Sequence, residues 1–225
     1  CDPADLTTDC VGDAGNESAA DAWNAANIAT LSGCIADNCT VDNFTVTSDY
    51  EFNSLGDDCG TSGSITVIYT IADECSNETT KSATLTIIDN TNPTVNCDPV
   101  TETIECAGES GNLAAAQQWN DDNIAALTTC SEDDCSGITV TSNFDFNNLT
   151  DECGFTGLIT VTYTIADACD NTVEKVATLT IEDTTDPVVA CDPASPTVEC
   201  AGDEQNKINA AAWNTQNITT LENCS

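Results

Sequence analysis

The sequence lacks histidine, arginine and methionine altogether, and three lysines are its only basic side chains against 39 aspartates and glutamates. The formal net charge is therefore −36 over 225 residues. Without histidine, the commonest acid–base catalyst and the commonest metal ligand are both missing. Carboxylate pairs such as Asp133-Asp134 remain, but on so acidic a chain they are expected to be solvated surface. We therefore predict no catalytic residues and no enzyme activity.

Two classes of partner are excluded by this charge and by the lack of long apolar runs. Nucleic acid and anionic membrane surfaces repel such a chain, so neither is an expected partner. No run approaches the roughly 18 apolar residues that a membrane span requires, so direct membrane insertion is not expected. Hydrophobic residues nevertheless make up 40% of the chain and fall into patterned runs, which indicates a folded protein.

Cysteine, in contrast, is abundant. Fifteen cysteines are far above ordinary usage, and no Cys-x-x-Cys pair indicates a zinc knuckle. Disulfides formed outside the cytosol explain them best, which predicts an extracellular, cell-surface location. The chain opens directly on Cys1-Asp2-Pro3 without a signal peptide, so we interpret it as a segment of a longer exported protein.

Internal repeats organise the chain. Cys1-Asp2-Pro3 returns at Cys97 and again at Cys191, and Trp23, Trp119 and Trp213 keep the same spacing. A complete repeat holds six cysteines, and a truncated third repeat with three more explains the odd total. The repeats predict modules at 1–92 (first strand truncated) and 93–186, and the N-terminal part of a third at 187–225.

Within the second repeat, the pattern of apolar residues predicts strands and one short helix. Apolar side chains at Ile159, Val161, Tyr163 and Ile165 alternate with threonines, which is typical of a half-buried strand. The Ala-rich segment that Asn112 opens as a helix cap carries a stripe with helical spacing: Leu113, Ala116, Trp119, Asn123 and Leu127. We predict an all-β fold of tandem immunoglobulin-like β-sandwich modules, each with one short inserted helix and stapled by disulfides.

Strand length suggests how the cysteines pair. About ten extended residues separate Cys153 from Cys169 by roughly 33 Å, so these two cannot bond. If neighbouring strands run antiparallel, one choice among fifteen connectivities follows for each repeat. The predicted pairs are Cys135–Cys169, Cys106–Cys130 and Cys97–Cys153, with Cys39–Cys75, Cys10–Cys34, Cys1–Cys59 and Cys200–Cys224 as their counterparts.

Several phrases of the sequence resemble a known family. "PTVNCDP", "YTIADACDN" and "ATLTIEDTTDP" are similar to the hyalin-repeat (HYR-like) immunoglobulin-type modules of giant Bacteroidota surface adhesins, and "LAAAQQWNDDNIAALTTCSEDDC" looks like the insert of gliding-motility adhesins. The family turn usually has glycine where this chain has Ser76 and Asp170. The resemblance covers essentially the whole chain. It implies export by type IX secretion and a role in attachment or as a stalk.

The module junctions gather oxygen ligands that suit calcium. The candidate ligands are Asp89, Asn90, Asn92, Asp98, Asp183, Asp186 and Asp192. A cation there would stiffen the joint and offset charge repulsion. The alternative is a plain polar linker in which proline enforces an extended entry.

Other candidate positions have structural and functional interpretations. Trp23, Trp119 and Trp213 are expected to anchor the helix, with sugar stacking as the alternative. The turn that follows "YTIAD" is expected to be structural, although its acids could bind cations. Thr184 lies in a sequence similar to a Bacteroidota O-glycosylation acceptor, which predicts a sugar there; the alternative is an unmodified linker threonine.

These observations favour a structural and adhesive repeat segment of a large secreted protein that forms an extracellular fibre or stalk. The alternative is a binding module that recognises a glycan or a surface through the inserted helix. Expected partners are other modules of the same chain, neighbouring chains in a filament, and a surface or glycan ligand. Apart from calcium, no cofactor is expected.

Overall fold

The computed structural model describes residues 1–38, 43–56, 58–150 and 153–223. It divides into two compact units, Cys1–Glu182 and Asp183–Ser225. The first unit contains two copies of one arrangement of four strands and a helix, which follow the first two sequence repeats. Because both copies form one compact unit, the module boundary after residue 92 remains a prediction.

The four sheet strands and the helix follow the same order in both copies of the first unit, and the second copy adds two strands of two residues each. The first copy consists of β1 (Leu6–Asp9), α1 (Asp13–Ser32), β2 (Thr45–Ser48), β3 (Gly63–Ala72) and β4 (Glu78–Ile88). The second consists of β5 (Thr94–Val95), β6 (Glu102–Glu105), α2 (Gly108–Cys130), β7 (Ser131–Glu132), β8 (Thr139–Ser142), β9 (Gly157–Ala166) and β10 (Thr172–Glu182). The second unit contains α3 (Asp203–Glu222). Among the described residues, no helix is both long and apolar enough to cross a bilayer.

Each copy is built around a four-stranded sheet. The strand orders are β1-β4-β3-β2 and β6-β10-β9-β8. The long strands pair as antiparallel hairpins, β3 with β4 and β9 with β10, whereas β1 and β6 run parallel to β4 and β10. We call one end of each sheet its leading end, namely the end at which β4 or β10 begins. The opposite end, at which that strand finishes, is the trailing end.

A helix covers the buried face of each sheet. The alternation predicted for β9 is confirmed, since Ile159, Val161, Tyr163 and Ile165 are all fully buried. They pack against Ala116, Trp119 and Leu127 of α2 in one core. Burial of these side chains drives the helix onto the sheet. The helix that covers each sheet has 20 residues in the first copy and 23 in the second, so it is longer than the short insert that we predicted. A second sheet facing the first, as a β-sandwich requires, is not confirmed among the described residues.

The prediction for the first residue of the helical stripe was wrong. Leu113 is exposed, and Asn112 is buried in its place. Asn112 does not cap the helix from outside, because α2 begins four residues earlier. Its side chain instead accepts a hydrogen bond from the Ala107 amide at 2.8 Å and donates one to the Phe155 carbonyl at 2.7 Å. A buried amide with such partners fixes the start of the helix to a loop at the trailing end of the sheet.

The disulfides join the two copies as well as the ends of each helix insertion. Two lie between copies, Cys10–Cys135 with Cα atoms 6.1 Å apart and Cys59–Cys169 with Cα atoms 5.2 Å apart. Two lie within a copy, Cys1–Cys34 and Cys97–Cys130. Five predicted pairs are therefore wrong: Cys135–Cys169, Cys106–Cys130, Cys97–Cys153, Cys10–Cys34 and Cys1–Cys59. Cys39 and Cys224, of the other two predicted pairs, lie outside the described residues.

The direction of the first strand in each copy explains the wrong pairs. The predicted pairs assumed antiparallel neighbours, but β6 runs parallel to β10, and the Cys106 amide bonds the Glu182 carbonyl at 2.7 Å. Cys106 therefore lies at the trailing end, with Cys153, while Cys169 lies at the leading end. The expected separation of Cys153 and Cys169 is confirmed. The trailing end of the first copy faces the leading end of the second, so the cysteines pair across that boundary.

The repeated turn after β3 and β9 is held by one aspartate in each copy. Asp167 Oδ1 accepts hydrogen bonds from the amides of Cys169 and Asn171, and its Oδ2 accepts one from the Asn171 side chain at 2.8 Å. Asp73 makes the same three contacts, and these hydrogen bonds, above all from Asn77, lower the pKa of its carboxyl group. The structural interpretation of this turn agrees with these contacts.

Replacing Asp170 with glycine is expected to stabilise the first unit. Asp170 has a φ of 67° and its counterpart Ser76 a φ of 65°, a region that disfavours side chains with a Cβ. Relief of this strain, less the entropy that glycine loses on folding, should raise the free energy of unfolding by about 0.5–1 kcal/mol. Denaturant melts of Asp170→Gly test this, with Asp170→Ala as a control that should show no gain. Equal stability of both variants would contradict the strain.

Candidate cation site at the junction between the two copies

The junction comprises residues 89–96 and the facing ends of the two sheets, and the two inter-copy disulfides form its walls. The carbonyl oxygen of Cys135 accepts a hydrogen bond from the Thr61 amide at 2.7 Å. Gly60 permits this approach, because a Cβ at its position would overlap that same carbonyl oxygen. The backbones of the two copies are therefore in direct contact beside the sulfur bridges.

Three carboxylates converge at the junction. Asp89 follows β4 of the first copy, while Asp133 and Asp167 belong to leading-end loops of the second. They form two groups that share Asp89: Asp89 and Asp133 have carboxylate oxygens within 4.8 Å of each other, and so do Asp89 and Asp167. The sulfurs of Cys135 and Cys169 also lie within this distance. Both sulfurs are bonded in disulfides, so only the carboxylates can serve as ligands for a hard cation.

Two of the three carboxylates are also used by their own loops. Asp133 Oδ1 accepts hydrogen bonds from the amides of Cys135 at 2.9 Å and Ser136 at 3.0 Å. Asp167 holds the turn after β9, as described above. These hydrogen bonds fix the directions of both carboxylates before any ion binds.

Asp89 has an oxygen that no loop contact explains. Its side chain is only 8% exposed, and its Oδ1 accepts a hydrogen bond from the Thr91 amide at 3.1 Å. Its Oδ2 is buried and has no hydrogen-bond partner among the residues that the structure describes. Burial raises the pKa of Asp89, and the negative charges of Asp133 and Asp167 raise it further. A buried, unpaired carboxylate oxygen is costly unless a proton or a cation satisfies it.

A cleft of about 210 Å³ opens beside the cluster. Its walls include Asn92, Glu132, Asp133 and Asp134. Calcium takes six to eight oxygens, a number that carboxylates, an amide oxygen and water can supply together. The residues present therefore fit a hard divalent cation, and they do not fit a soft metal that needs thiolate.

The predicted junction ligands have different positions. Asp89 belongs to the cluster, Asn92 lines the adjoining cleft, and Asn90 is exposed. Asp98 instead accepts a hydrogen bond from the Lys175 ammonium at 2.6 Å, an ion pair matched by Asp2 and Lys81 in the first copy. In the second unit, Asp183, Asp186 and Asp192 are exposed. Asp183 accepts the Thr185 amide at 3.1 Å, which repeats the contact of Asp89 with Thr91.

Sequence reasoning missed Asp133 and Asp167 as partners of Asp89. Asp133 and Asp167 both lie tens of residues after Asp89 in the chain, so no local motif joins them to it. The repeats contained a usable signal, since both aspartates recur as Asp37 and Asp73 in the first copy. Residues that recur at a repeat boundary are candidates for contacts across that boundary.

The tryptophans of the first unit are structural. Trp23 and Trp119 are 7% and 5% exposed, and their indole nitrogens donate hydrogen bonds to the carbonyls of Ala4 and Val100 at 2.7 and 2.8 Å. Trp213 makes the same kind of bond to Ala194 at 2.7 Å but is 45% exposed. Thr184 is exposed, and its glycosylation remains a prediction.

Replacing Asp89 with asparagine is expected to stabilise the protein in cation-free buffer at neutral pH. The folded pKa of Asp89 is above its unfolded value, so this group's contribution to stability is present at low pH and is lost as the pH rises through the folded pKa. An asparagine amide carries no charge and can donate to the neighbouring carboxylates, which should add about 1–3 kcal/mol. Denaturant melts from pH 4 to 8 would show a flatter profile for Asp89→Asn. The exposed counterpart Asp183→Asn should match the wild type; a gain equal to that of Asp89→Asn would contradict the account.

Comparison with known proteins gives limited likenesses. No family model matches the chain, and no curated protein sequence matches it. Among solved structures, protocadherin gamma B7 cadherin domains 1–4 is 11% identical, with 72% of this chain and 46% of that chain covered and a TM-score of 0.26. The human desmocollin-1 ectodomain is 10% identical (70% and 37% covered, TM-score 0.21), and Drosophila N-cadherin EC1–4 is 11% identical (63% and 41%, TM-score 0.25). The chain therefore spans less than half the length of each of these structures, and TM-scores this low do not establish a common fold or function.

Proposed function

We propose that this chain is a structural segment of an extracellular adhesive fibre, in which successive modules are locked to each other by paired disulfides. The observation that carries the proposal is the pair of bonds between copies, Cys10–Cys135 and Cys59–Cys169. Two covalent bonds at one junction restrain bending and twisting more than a single flexible linker can. Disulfides are typical of proteins outside the cytosol, which supports the extracellular location.

The acidic surface suits this role. A formal net charge of −36 keeps neighbouring segments apart and opposes aggregation. Each of the three lysines forms an ion pair with a nearby carboxylate, so the unpaired surface charge is overwhelmingly negative. A stalk built from such segments would stay extended and soluble in salt water, where counterions screen its self-repulsion.

Pulling single molecules at residues 1 and 182 tests the locked segment. Both inter-copy bonds shorten the path that force can extend, and the Cys10–Cys135 bond alone closes a separation of 125 residues. The shortest oxidised path between residues 1 and 182 runs through Cys1–Cys34 and Cys59–Cys169, so complete reduction should release about 140 residues and add about 500 Å of contour length. A chain with the same contour length before and after reduction would contradict the proposal.

Calcium at the junction is the second part of the proposed function. Asp89 would hold the ion together with Asp133 or with Asp167, through one carboxylate oxygen each, and the ion would neutralise the buried charge of Asp89. Calorimetry on chelator-treated protein should show heat of binding and a rise in melting temperature with millimolar calcium. Asp89→Asn should remove both effects, and Asp183→Asn should leave both. No heat and no thermal shift in the wild type would exclude the cation.

Glycan or surface recognition by the inserted helix is the alternative, and no specific observation favours it. The aromatic side chains that would stack on a sugar are turned onto the sheet in both copies of the first unit. If an adhesive ligand binds the modules of the first unit, its site lies away from these buried aromatic side chains.

A further inference from the structure

We infer that the trailing end of the second copy is a preformed docking face for the leading end of another such module, to which Cys153 bonds covalently. The inference deepens the proposed fibre function and rests on it for its biological meaning. It is carried by the likeness between this face and the corresponding face of the first copy, where Cys10 and Cys59 already make the equivalent bonds. Cys106 and Cys153 have no disulfide partner among the described residues.

The thiol of Cys106 lies in the same side-chain surroundings as the bonded Cys10. Buried Asn16 donates to Cys10 Sγ at 3.1 Å and to the Thr61 carbonyl at 3.2 Å. Buried Asn112 donates to Cys106 Sγ at 3.4 Å and to the Phe155 carbonyl at 2.7 Å. Both asparagines are fully buried. The second copy thus keeps the buried asparagine beside a cysteine that has no disulfide partner among the described residues, while Phe155 replaces Thr61, whose hydroxyl lies 3.2 Å from Cys10 Sγ.

Two glycines show where the docking module would lie. In the first copy, a Cβ at Gly60 would overlap the Cys135 carbonyl, and one at Gly12 would lie 3.2 Å from the Asp134 carbonyl. Their counterparts Gly154 and Gly108 have the same left-handed backbone, but a Cβ at either would meet no atom of the described residues within 4 Å. The space that the second copy's loop fills at the first face is therefore not filled at the second by any residue that the structure describes.

The partner is identified by the other end of the same unit. Cys75 is the counterpart of Cys169, which bonds Cys59 across the junction, and it is exposed without a partner among the described residues. Asp73 presents it in the same turn that Asp167 forms around Cys169. A second copy of this chain therefore offers the leading end that the Cys153 face requires, and the two would join head to tail.

Bond formation needs an oxidant, and glutathione disulfide supplies it. The Cys153 thiolate attacks one sulfur of glutathione disulfide and releases one glutathione thiolate. The Cys75 thiolate of the second copy then attacks the Cys153 sulfur of the mixed disulfide and releases the second glutathione. Two cysteine thiols are oxidised to one disulfide, and glutathione disulfide is reduced to two thiols.

Mixing two variants of the full chain tests the direction of this bond. Both variants carry Cys39→Ser, Cys106→Ser and Cys200→Ser; one adds Cys75→Ser and keeps Cys153, and the other adds Cys153→Ser and keeps Cys75. In glutathione redox buffer, the docked faces should favour the mixed dimer over each homodimer by about tenfold. Peptide mapping should find Cys153 of one variant linked to Cys75 of the other.

Other outcomes would overturn the inference. Mixed and homogeneous dimers in the ratio of random pairing would show that exposed thiols react without docking. A Cys106–Cys153 bond within the wild-type monomer would show that the two thiols serve each other. Gly154→Ala, which places a methyl group in the open space, should reduce the mixed dimer to the homodimer level while thermal melts confirm that it folds. If the single-molecule pulling experiment shows the same contour length before and after reduction while the mixed dimer still forms, the proposed function is refuted and this inference is not.

Discussion

Removing the Cys59–Cys169 bond by Cys59→Ser and Cys169→Ser is expected to lower the free energy of unfolding of the first unit by about 2–5 kcal/mol. The bond closes a separation of 110 residues, so its loss returns a large loop entropy to the unfolded chain. It also removes one of the two covalent ties between copies. Denaturant melts of the oxidised proteins measure the loss.

The matched control uses the equivalent cysteines that have no partner among the described residues. Cys153 is the counterpart of Cys59 one repeat later, and Cys75 is the counterpart of Cys169 one repeat earlier. The control variant replaces both of these cysteines with serine. Stability should stay within about 0.5 kcal/mol of the wild type, as for other exposed substitutions. Equal losses in the two double variants would mean that the bond between copies does not stabilise the fold.

Replacing Trp119 with alanine is expected to cost about 3–5 kcal/mol. The ring is 5% exposed, meets Tyr163 edge to face with centroids 6.4 Å apart, and donates to the Val100 carbonyl. Alanine would leave a cavity between α2 and the sheet and would remove one of the two hydrogen bonds to the Val100 carbonyl, which would keep only the bond from Asn123 at 3.2 Å. Denaturant melts followed by far-ultraviolet circular dichroism measure the loss.

Trp213→Ala is the control for this substitution. Trp213 occupies the same position of its repeat, but it lies in the second unit and is 45% exposed. Its removal should leave the unfolding of the first unit unchanged. Indole fluorescence adds a second measurement, since iodide should quench Trp213 and leave Trp23 and Trp119 largely unquenched. A large loss of first-unit stability in Trp213→Ala would contradict the assignment of roles.

Local patterns predicted the elements of this fold well. The period of two in β9 and the helical spacing in α2 correspond to side chains that are buried, because burial on one face is what those periods record. The repeats correctly predicted that equivalent residues make equivalent contacts, as Trp23 and Trp119 do. The periodic patterns lie within single short segments, and the repeats are visible by direct comparison of the sequence with itself.

The contacts between segments were beyond local patterns. The parallel pairing of β6 with β10 leaves no mark on the four residues of β6, yet it moves Cys106 to the opposite end of the sheet. No pattern within one repeat shows that Asp133 and Asp167 face Asp89, because that depends on how one copy meets the next; their recurrence as Asp37 and Asp73 is the one available signal. Pairing of cysteines across a repeat boundary is invisible when each repeat is treated alone.

Cleavage of the linker between the copies shows directly whether the two inter-copy disulfides hold them together. A protease site inserted between the exposed residues Asn90 and Thr91 allows the chain to be cut once at the junction. If Cys10–Cys135 and Cys59–Cys169 lock the copies, the cut protein should remain one species on a denaturing gel and separate into two fragments only after reduction. Two separate fragments without reductant would contradict the account.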